Sequence, residues 1–474
     1  MNPAPVTSPT PLSVATPAQA RGVYIKTYGC QMNVYDSQRM EECLVPLGFV
    51  SVPTPDLADL VIVNTCHIRA KSEEKLFSEL GRLRLTKQER HRHSQSSFLV
   101  VAGCVGQALG ADILKRAPYV DAVVGPQTYH TLPETVMRLL RQQPHEKPVT
   151  LGFPKMDKFD ELPFDRGVKG PQAFLSIQEG CNKFCRYCVV PYTRGPEYSR
   201  PVADITAEAR QLVSQGAIEL TLLGQNVNAY HGLGEDGKES SLGRLLELLA
   251  TEIPGIQRLR YTTSHPRDVD EDLLQAHSRT PAVMPMVHLP VQSGSDRVLA
   301  RMNRQHTREF YQNTIERFRQ AQPLVAFSSD FIVGYPGETE EDFEQTCALV
   351  NHVRFAQAFT FKYSQRPGTP AAMATQVPEE IKDERLQRLN ALLDQHRMDF
   401  NSSFVGQTLD VLIEKMDQKN QALGRSIYMH AVHFPAPQGQ VGQVVPVVIE
   451  RALRNSLTGC QVGPMAPHHL HPLS

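Results

Sequence analysis

The stretch Ala173-Phe-Leu-Ser-Ile-Gln178, followed by Glu-Gly-Cys181-Asn-Lys-Phe-Cys185-Arg-Tyr-Cys188, predicts the fold of the central part of the chain. Its apolar run, closed by a glycine loop, indicates a β-strand. Three thiols then fall within eight residues. A structural zinc site normally takes four protein ligands, and no second cysteine pair follows at finger spacing. Three thiolates suit a 4Fe–4S cluster with one iron left open. A zinc knot or three buried thiols are the alternatives.

Similar units follow this first strand along the chain. Five further apolar runs lie at 219–223, 258–263, 286–291, 326–333 and 358–364. Each run ends in a polar or Gly-rich loop, and segments of helix length separate them. Repeated βα units with chemistry at the strand C-terminal ends are typical of a barrel. Six units predict an open (β/α)6 partial barrel over residues 172–402.

The region before this barrel has the same alternation on a shorter scale. Apolar runs at 23–28, 60–63, 98–101 and 122–124 are separated by segments with helical patterns. Such runs predict a parallel α/β domain over residues 21–142. The Pro-containing segment 143–171 is expected to be a linker, and the Pro/Ala/Thr/Ser-rich start, residues 1–20, a disordered tail.

The chain changes character after a predicted helix at 378–400. Leu409–Glu414, Ser426–Ala431 and Val441–Ile449 are predicted as short strands joined by Gly, Asn and Pro turns. About 70 residues of this kind favour a small antiparallel β-barrel, over residues 403–470. The fold class is therefore α/β with a C-terminal all-β domain.

Three more cysteines share one structural position. Cys30, Cys66 and Cys104 each come directly after one of the predicted parallel strands. The carboxyl ends of such strands meet at one edge of a sheet, where ligands bind. We therefore predict a second 4Fe–4S cluster, again with an open iron. Three unrelated buried cysteines are the alternative. The last three cysteines, Cys43, Cys347 and Cys460, have no such placement.

Composition excludes some classes of protein. No run of 18 apolar residues exists, so no membrane-spanning helix is expected. The first twenty residues lack the charged start and apolar stretch of a secretion signal, and nine cysteines without such a signal favour metal ligands in a reducing cytoplasm. A net charge of −1 gives no bulk signal for nucleic-acid binding. Candidate local basic surfaces are Arg297, Arg301, Arg304 and Arg308, and Arg82, Arg84, Lys87, Arg90 and Arg92.

The CxxxCxxC spacing after a first barrel strand resembles the radical S-adenosylmethionine (SAM) superfamily. The resemblance implies that SAM chelates the open iron through its amino and carboxylate groups, and is cleaved to a 5′-deoxyadenosyl radical. It also implies SAM-contacting positions. These are Tyr187 near the adenine, the loop Gly224-Gln225-Asn226, and Gly334, Gly337 and Glu338 in a segment similar to the superfamily's fifth-strand motif. Arg186, inside the cysteine loop, is expected to tune the cluster.

With both triplets, the chain from 21 to 462 resembles the methylthiotransferase family. The resemblance is carried by TYGCQMNVYDS at 27–37, NTCHIRAKSEEK at 64–75, VAGCVGQ at 101–107, QEGCNKFCRYCVVPYTRGPEYSRP at 178–201, LGQNVNAY at 223–230, TSHP at 263–266, HLPVQSGSDRVLARMNRQHT at 288–307 and YSQRPGT at 363–369. The C-terminal segment is similar to a TRAM domain, an RNA-binding module.

That resemblance implies an enzyme that attaches a methylthio group to N6-dimethylallyladenosine at tRNA position 37. One cluster would generate the radical and the other would carry the sulfur, with two SAM molecules consumed. A flavodoxin or ferredoxin is the expected electron donor, and a monomer the expected state. The sulfur donor is not identified. Sister enzymes act on an aspartate of a ribosomal protein or on threonylcarbamoyladenosine, and a non-catalytic iron–sulfur RNA-binding protein is a further alternative.

Overall fold

The computed structural model describes residues 20–67, 72–141, 147–153, 157–163 and 166–463. The predicted disordered tail lies outside this range except for Ala20. The predicted linker is described in part, and the last residues of the predicted C-terminal barrel lie outside.

The N-terminal region is a parallel sheet covered by helices, as predicted. Its elements are β1 Arg21–Tyr28, α1 Gln31–Leu44, β2 Phe49–Ser51, β3 Leu60–Thr65, α2 Ser72–Arg92, β4 Phe98–Ala102, α3 Cys104–Leu109, α4 Asp112–Arg116, β5 Ala122–Val124, α5 Leu132–Leu140 and β6 Val149–Thr150. The strand order is β2-β1-β3-β4-β5-β6, with every pair parallel. The predicted strands form the middle of the sheet. The edge strands β2 and β6 were missed because two or three residues carry no periodic signal.

The central region contains the six predicted strands. Its elements are α6 Asp157–Asp160, β7 Gln172–Ser176, β8 Gln178–Glu179, α7 Val190–Thr193, β9 Tyr198–Ser199, α8 Val202–Ser214, β10 Glu219–Leu223, β11 His231–Leu233, β12 Glu239–Ser241, α9 Leu242–Glu252, β13 Arg258–Tyr261, α10 Glu271–Arg279, β14 Met286–His288, α11 Asp296–Arg301, α12 Arg308–Ala321, β15 Ala326–Val333, α13 Glu340–Val353, β16 Gln357–Lys362 and α14 Glu379–Ser402. Five of the helices begin at a Ser, Thr or Asp that accepts a backbone N–H, which is the preferred N-cap chemistry. These caps are Ser241, Asp270, Ser295, Thr307 and Thr339.

The main strands of this region form two parallel three-stranded sheets, β7-β10-β13 and β14-β15-β16. A parallel bridge between Leu259 and Val283 joins them, so the six strands curve in chain order. Among the described residues β7 and β16 are not paired with each other, which leaves the barrel open along one side. The N-terminal domain packs next to β7, where Met32 and Tyr35 of α1 lie against Phe174 and Leu223.

The C-terminal region is a closed five-stranded barrel. Its strands are β17 Thr408–Met416, β18 Gln421–Ser426, β19 Ala431–Pro435, β20 Val444–Ala452 and β21 Ser456–Gln461, in the order β17-β18-β19-β21-β20. The predicted strand Ser426–Ala431 is wrong. Ser426 Oγ accepts the N–H groups of Tyr428 and His430, and Met429 adopts a φ of 68°, so the chain turns there. The Tyr428 ring is buried against Phe404 rather than across a strand.

No helix within the described residues is both long and apolar enough to span a membrane.

Candidate functional site: two thiol triplets on one cavity

A cavity of about 970 Å³ lies where the carboxyl edge of the N-terminal sheet meets the barrel. Cys30, Cys66 and Cys104 line it from the first domain, and Cys188 lines it from the second. The C-terminal barrel contributes Arg425 to the wall. All six cysteines of the two predicted triplets are free thiols. The three domains therefore enclose one space into which both triplets contribute.

The first triplet is assembled by three strands that end side by side. Cys30 caps α1 after β1, Cys66 follows β3, and Cys104 begins α3 after β4. A buried amide pair links the first turn of α1 to the end of β3. Asn33 Nδ2 donates to Asn64 Oδ1 at 3.2 Å, and Asn64 Nδ2 donates to the Asn33 carbonyl at 2.9 Å.

Two glycines allow this convergence. Gly29 and Gly103 have φ of 130° and 88°, a backbone region that side chains rarely adopt. A Cβ on Gly29 would overlap Cys66 Cβ, and one on Gly103 would overlap Asn64 Oδ1. Glycine is therefore required at both positions by conformation and by space.

The charge environment of the first triplet includes a residue from the other domain. Arg194, 4% exposed, places Nη2 2.5 Å from Asp36 Oδ2. A hydrogen bond with Cys66 lowers the pKa of the Cys30 thiol to about 6, assisted by the charge of Arg194 against the cost of burial. Burial raises the pKa of Cys104, and Arg194 opposes that rise.

The second triplet occupies one loop after β8. Gly180 precedes it with a φ of 76°, and a Cβ there would overlap the Pro196 carbonyl oxygen. Burial raises the pKa of Cys181 to about 11 and of Cys188 to about 12. Cys188 Sγ accepts the N–H of Val190 at 3.5 Å.

A buried cation also lies against the second triplet. Arg304, 5% exposed, donates Nη1 to Cys185 Sγ at 3.6 Å and Nη2 to the Pro290 carbonyl at 2.5 Å. Arg186, the predicted tuning residue, is exposed. The buried cation that contacts this triplet is therefore Arg304, which the sequence had suggested as part of a basic surface for RNA. Arg90 of the other Arg-rich run is also buried, and bonds Asp59.

Each triplet offers three thiols, a donor set that would suit a 4Fe–4S cluster with one open iron. Around one zinc the sulfurs would lie about 3.8 Å apart, from a Zn–S bond of about 2.3 Å. Within the described ranges no three Cys, His, Asp or Glu side chains are grouped closely enough for one ion. A cluster spreads its ligands over separate irons. The N–H donor and the buried arginines would stabilise the negative charge of thiolates.

The predicted SAM loop is tied to the cysteine loop. Gln225 Oε1 accepts the N–H of Gly180 at 2.5 Å, and Gln178 Oε1 accepts the N–H groups of Gln225 and Asn226. Gly224 and Gln225 line the cavity, as does Tyr187. Gln225 Nε2 and Asn226 Oδ1 are buried without a hydrogen-bond partner in the described structure. The spare donor of Gln225 suits the carboxylate of an amino acid, whereas Asn226 is outside the cavity wall and donates Nδ2 to Asp268.

The other predicted SAM positions have structural partners instead. Gly334, Gly337 and Glu338 are outside the cavity wall. Glu338 accepts the N–H of Gly334 at 3.0 Å and pairs with Arg385 at 2.9 Å. Burial raises the pKa of Glu338 to about 7. This carboxylate holds the turn after β15, so a direct SAM contact has no support from its position.

Several wall residues were not among the predicted site residues. Thr263 and Gln292 line the cavity with φ of 70° and 77°. Such values are strained for side-chain-bearing residues and cluster at functional sites. His288 and the exposed rings of Phe359 and Phe361 also line it. The two phenylalanines sit in β16, whose pattern indicated structure alone, whereas His288 lies in a stretch that carries the family resemblance.

Comparison with known proteins assigns all three domains. Residues 175–350 match the Radical SAM superfamily, residues 22–125 match the Uncharacterized protein family UPF0004, and residues 402–461 match the TRAM domain. The radical SAM fold implies SAM and one 4Fe–4S cluster.

Solved structures show the same fold at low identity. The radical SAM methyltransferase TsrM from Kitasatospora setae, with cobalamin and a 4Fe–4S cluster bound, is 14% identical with a TM-score of 0.54. That match covers 75% of this chain and 74% of TsrM. The cobalamin-dependent SAM radical enzyme OxsB is 12% identical with a TM-score of 0.51. This chain covers 56% of the length of OxsB, and 80% of this chain is matched.

The order of the three domains carries more information than any one of them. A UPF0004 domain, a radical SAM core and a TRAM barrel in sequence are the architecture characteristic of the methylthiotransferase family of radical SAM enzymes.

Proposed function

We propose that this chain is a tRNA methylthiotransferase of the MiaB type, which converts N6-dimethylallyladenosine at position 37 to its 2-methylthio derivative. The observation that carries the proposal is a cavity lined by all three free thiols of one triplet and by Cys188 of the other. One set, Cys181, Cys185 and Cys188, would hold the cluster that cleaves SAM. The other set, Cys30, Cys66 and Cys104, would hold a second cluster.

The bound groups would supply radical formation and sulfur transfer, which no side chain can perform. The chain contributes positioning and shielding. Gln225 offers its spare Nε2 to a carboxylate next to the second triplet. Cys104 is buried and Cys30 is half-buried, and burial limits access of water to a reactive centre. Arg194 and Arg304 place a positive charge beside each thiol set.

A polynucleotide substrate is supported by how the TRAM barrel is attached. Arg258 donates to the carbonyls of Arg425 and Asp410 at 2.8 and 2.9 Å. Arg260 donates to the carbonyls of Ile427 and Ser426 at 2.8 and 3.1 Å. Four charge-assisted bonds hold the RNA-binding module against the radical SAM barrel. RNA bound to the module would therefore lie near the cavity.

The test is mass spectrometry of tRNA nucleosides from a strain that lacks this protein. We expect 2-methylthio-N6-dimethylallyladenosine to disappear and N6-dimethylallyladenosine to accumulate. Re-expression of the intact chain should restore the methylthio nucleoside. Unchanged levels would contradict the tRNA assignment, and loss of methylthio-aspartate from a ribosomal protein would favour the sister activity.

The catalytic part of the proposal has its own test in vitro. The protein is reconstituted without oxygen and reduced with titanium(III) citrate or dithionite, which replaces a flavodoxin or ferredoxin. It should then cleave SAM to 5′-deoxyadenosine. A protein that binds tRNA but leaves SAM intact would be the non-catalytic RNA-binding protein.

A further inference from the structure

The cavity has one wall whose side chains are set by strand register. In the pairing of β15 with β16, Asp330 lies opposite Phe359 and Ile332 lies opposite Phe361. Side chains alternate between the two faces of a strand. These four residues therefore share one face, and all four line the cavity. Phe331, between two of them, points to the opposite face and is fully buried.

The two phenylalanines of this wall are unusually open. Phe359 is 44% exposed and Phe361 is 38% exposed. Large aromatic side chains that remain exposed inside a cavity offer a surface to a planar or apolar ligand. Aromatic rings also serve as stacking platforms for single-stranded bases. The open side of the barrel ends at β16, so a base can reach these rings.

Polar groups lie at the base of the same wall. His288 Nδ1 is 2.8 Å from Ser328 Oγ, and its Nε2 is 3.7 Å from Asp330 Oδ1. The His288 ring lies edge-to-face with Phe359, at 6.1 Å between centroids. This contact fixes the aromatic ring and leaves the half-buried Asp330 carboxylate as an acceptor beside it. A carboxylate next to a stacking ring suits an exocyclic N–H of a base.

The cations of the cavity wall already have partners. Arg194 pairs with Asp36, Arg260 with Glu219, Lys362 with Glu379 and Asp383, and Arg425 with Glu414, while Arg366 also has a polar partner. A substituent that places a carboxylate beside Phe359 would approach the Asp330 carboxylate, and like charges repel. The wall therefore disfavours an acidic substituent and accepts an apolar one.

We propose that Phe359 and Phe361 form the specificity wall for an adenine with an apolar N6 substituent, and that Asp330 accepts the N6–H. Phe359 stacks the base, and Phe361 with Ile332 packs the substituent. This subsite rests on the proposed function. It would favour the dimethylallyl adenine as a substrate over threonylcarbamoyl adenine and over a protein aspartate.

The test uses the reconstituted full-length protein and three anticodon stem-loop RNAs. The RNAs differ in one nucleotide, which is adenosine, N6-dimethylallyladenosine or N6-threonylcarbamoyladenosine at position 37. Dissociation constants are measured without turnover, and kcat/KM is measured for methylthiolation. We expect wild-type protein to prefer the dimethylallyl RNA over the unmodified RNA by about tenfold or more, as apolar pockets do for added carbon groups.

Two substitutions should distinguish the packing of the substituent by Phe361 from the stacking of the base by Phe359. Phe361→Ala should remove about tenfold of the preference for the dimethylallyl group and change binding of unmodified RNA less than about twofold. Phe359→Ala should weaken binding of all three RNAs by about tenfold, because stacking does not depend on the substituent. Phe310→Ala is the control. Phe310 is equally exposed, at 38%, but lies on α12 outside the cavity wall.

The possible outcomes distinguish failure of the proposed subsite from failure of the proposed function. If wild-type protein methylthiolates the dimethylallyl RNA while both cavity variants keep its preference, the subsite is wrong and the function stands. If wild-type protein modifies none of the RNAs, the function fails, and the dissociation constants still test the subsite. Equal use of the threonylcarbamoyl RNA overturns the subsite. Should Phe361→Ala not fold, Phe361→Ser replaces it, and an unchanged preference then contradicts the proposal.

Discussion

The two thiol triplets are assembled in opposite ways, although both contribute to the wall of one cavity. Cys181, Cys185 and Cys188 lie on one loop, so their proximity is nearly local. The other three cysteines are spread from residue 30 to residue 104 and meet only when three parallel strands pair in register. The first arrangement is visible as a motif, whereas the second depends on the tertiary fold. Damage to the N-terminal sheet should therefore affect one triplet and spare the other.

The triplets also differ in their protonation chemistry. Cys30 has a pKa near 6 because of its hydrogen bond with Cys66, whereas burial holds the thiols of Cys181 and Cys188 in the protonated form at neutral pH. Thiols must lose their protons to bind iron. What the triplets share is one buried arginine each, brought from a distant part of the chain.

The largest expected effect comes from removing one thiol of each triplet. Cys185→Ala should abolish SAM cleavage, because the radical-generating cluster loses a ligand. Cys66→Ala should retain cleavage and lose sulfur insertion. Iron content should fall from about eight per chain to about four in either variant. The measurements are iron analysis, 5′-deoxyadenosine and the methylthio nucleoside.

Cys460→Ala serves as the matched control, since Cys460 is exposed on β21. It should keep about eight irons and both reactions. Equal loss of cleavage in Cys66→Ala and Cys185→Ala would contradict the division of roles between the triplets.

A smaller effect is expected from the glycines that precede the cysteines. Gly103→Ala places a methyl group into Asn64 at a φ of 88°, and should lower iron by about four per chain while SAM cleavage continues. Gly180→Ala places one into the Pro196 carbonyl and should stop cleavage. Backbone strain of this kind costs about 1–3 kcal/mol before any overlap.

The control for these substitutions is Gly81→Ala. Gly81 lies within α2, and a Cβ there would have no neighbour within 4 Å. Alanine in a helix is favoured over glycine by up to about 1 kcal/mol. This variant should therefore unfold at the same or a slightly higher temperature, with its iron content unchanged. Loss of iron in Gly81→Ala would mean that the site responds to any change in the domain.

The sequence predicted the fold where apolar runs are long enough to show a period. The four inner strands of the N-terminal sheet and the six of the barrel were found this way. The C-terminal barrel was predicted, but its strands were partly misplaced. The predicted strand at 426–431 contains Tyr428, whose ring packs on Phe404 in a turn. By contrast, β18 and β21 consist mostly of polar residues and are held by backbone pairing. Pairing of that kind leaves little trace in a hydrophobic pattern.

Some residues of the candidate site were likewise predictable from local sequence patterns, and others were not. The structure brings Cys30, Cys66 and Cys104 to the same cavity as Cys188 and puts Gly224 and Gln225 in its wall. Arg304 could not be found from its neighbours, because it is 119 residues away from Cys185 in the chain. Arg194 is 158 residues from its partner Asp36. Long-range ion pairs leave no spacing rule in a single sequence.

The smallest expected effect concerns these two arginines. We expect each one to raise the reduction potential of the cluster proposed at the triplet beside it. A buried cation stabilises the more negative, reduced state. Arg304→Met should lower the reduction potential of the SAM-cleaving cluster, and Arg194→Met should lower that of the second cluster. Each shift should be roughly 60 mV, which is a tenfold change in the equilibrium constant of a one-electron reduction. Potentials are measured by redox titration monitored by electron paramagnetic resonance, with the two signals separated in Cys66→Ala and Cys185→Ala backgrounds.

Arg194→Met leaves Asp36 buried without its partner, which destabilises a protein by about 3–5 kcal/mol. The double variant Arg194→Met/Asp36→Asn removes the pair together and keeps the test interpretable if the single variant unfolds. Arg186→Met is the exposed control within the cysteine loop, and solvent screening should hold its shift below about 20 mV. A shift of both potentials in either single variant would mean that the arginines act through the fold rather than on the triplet each one touches.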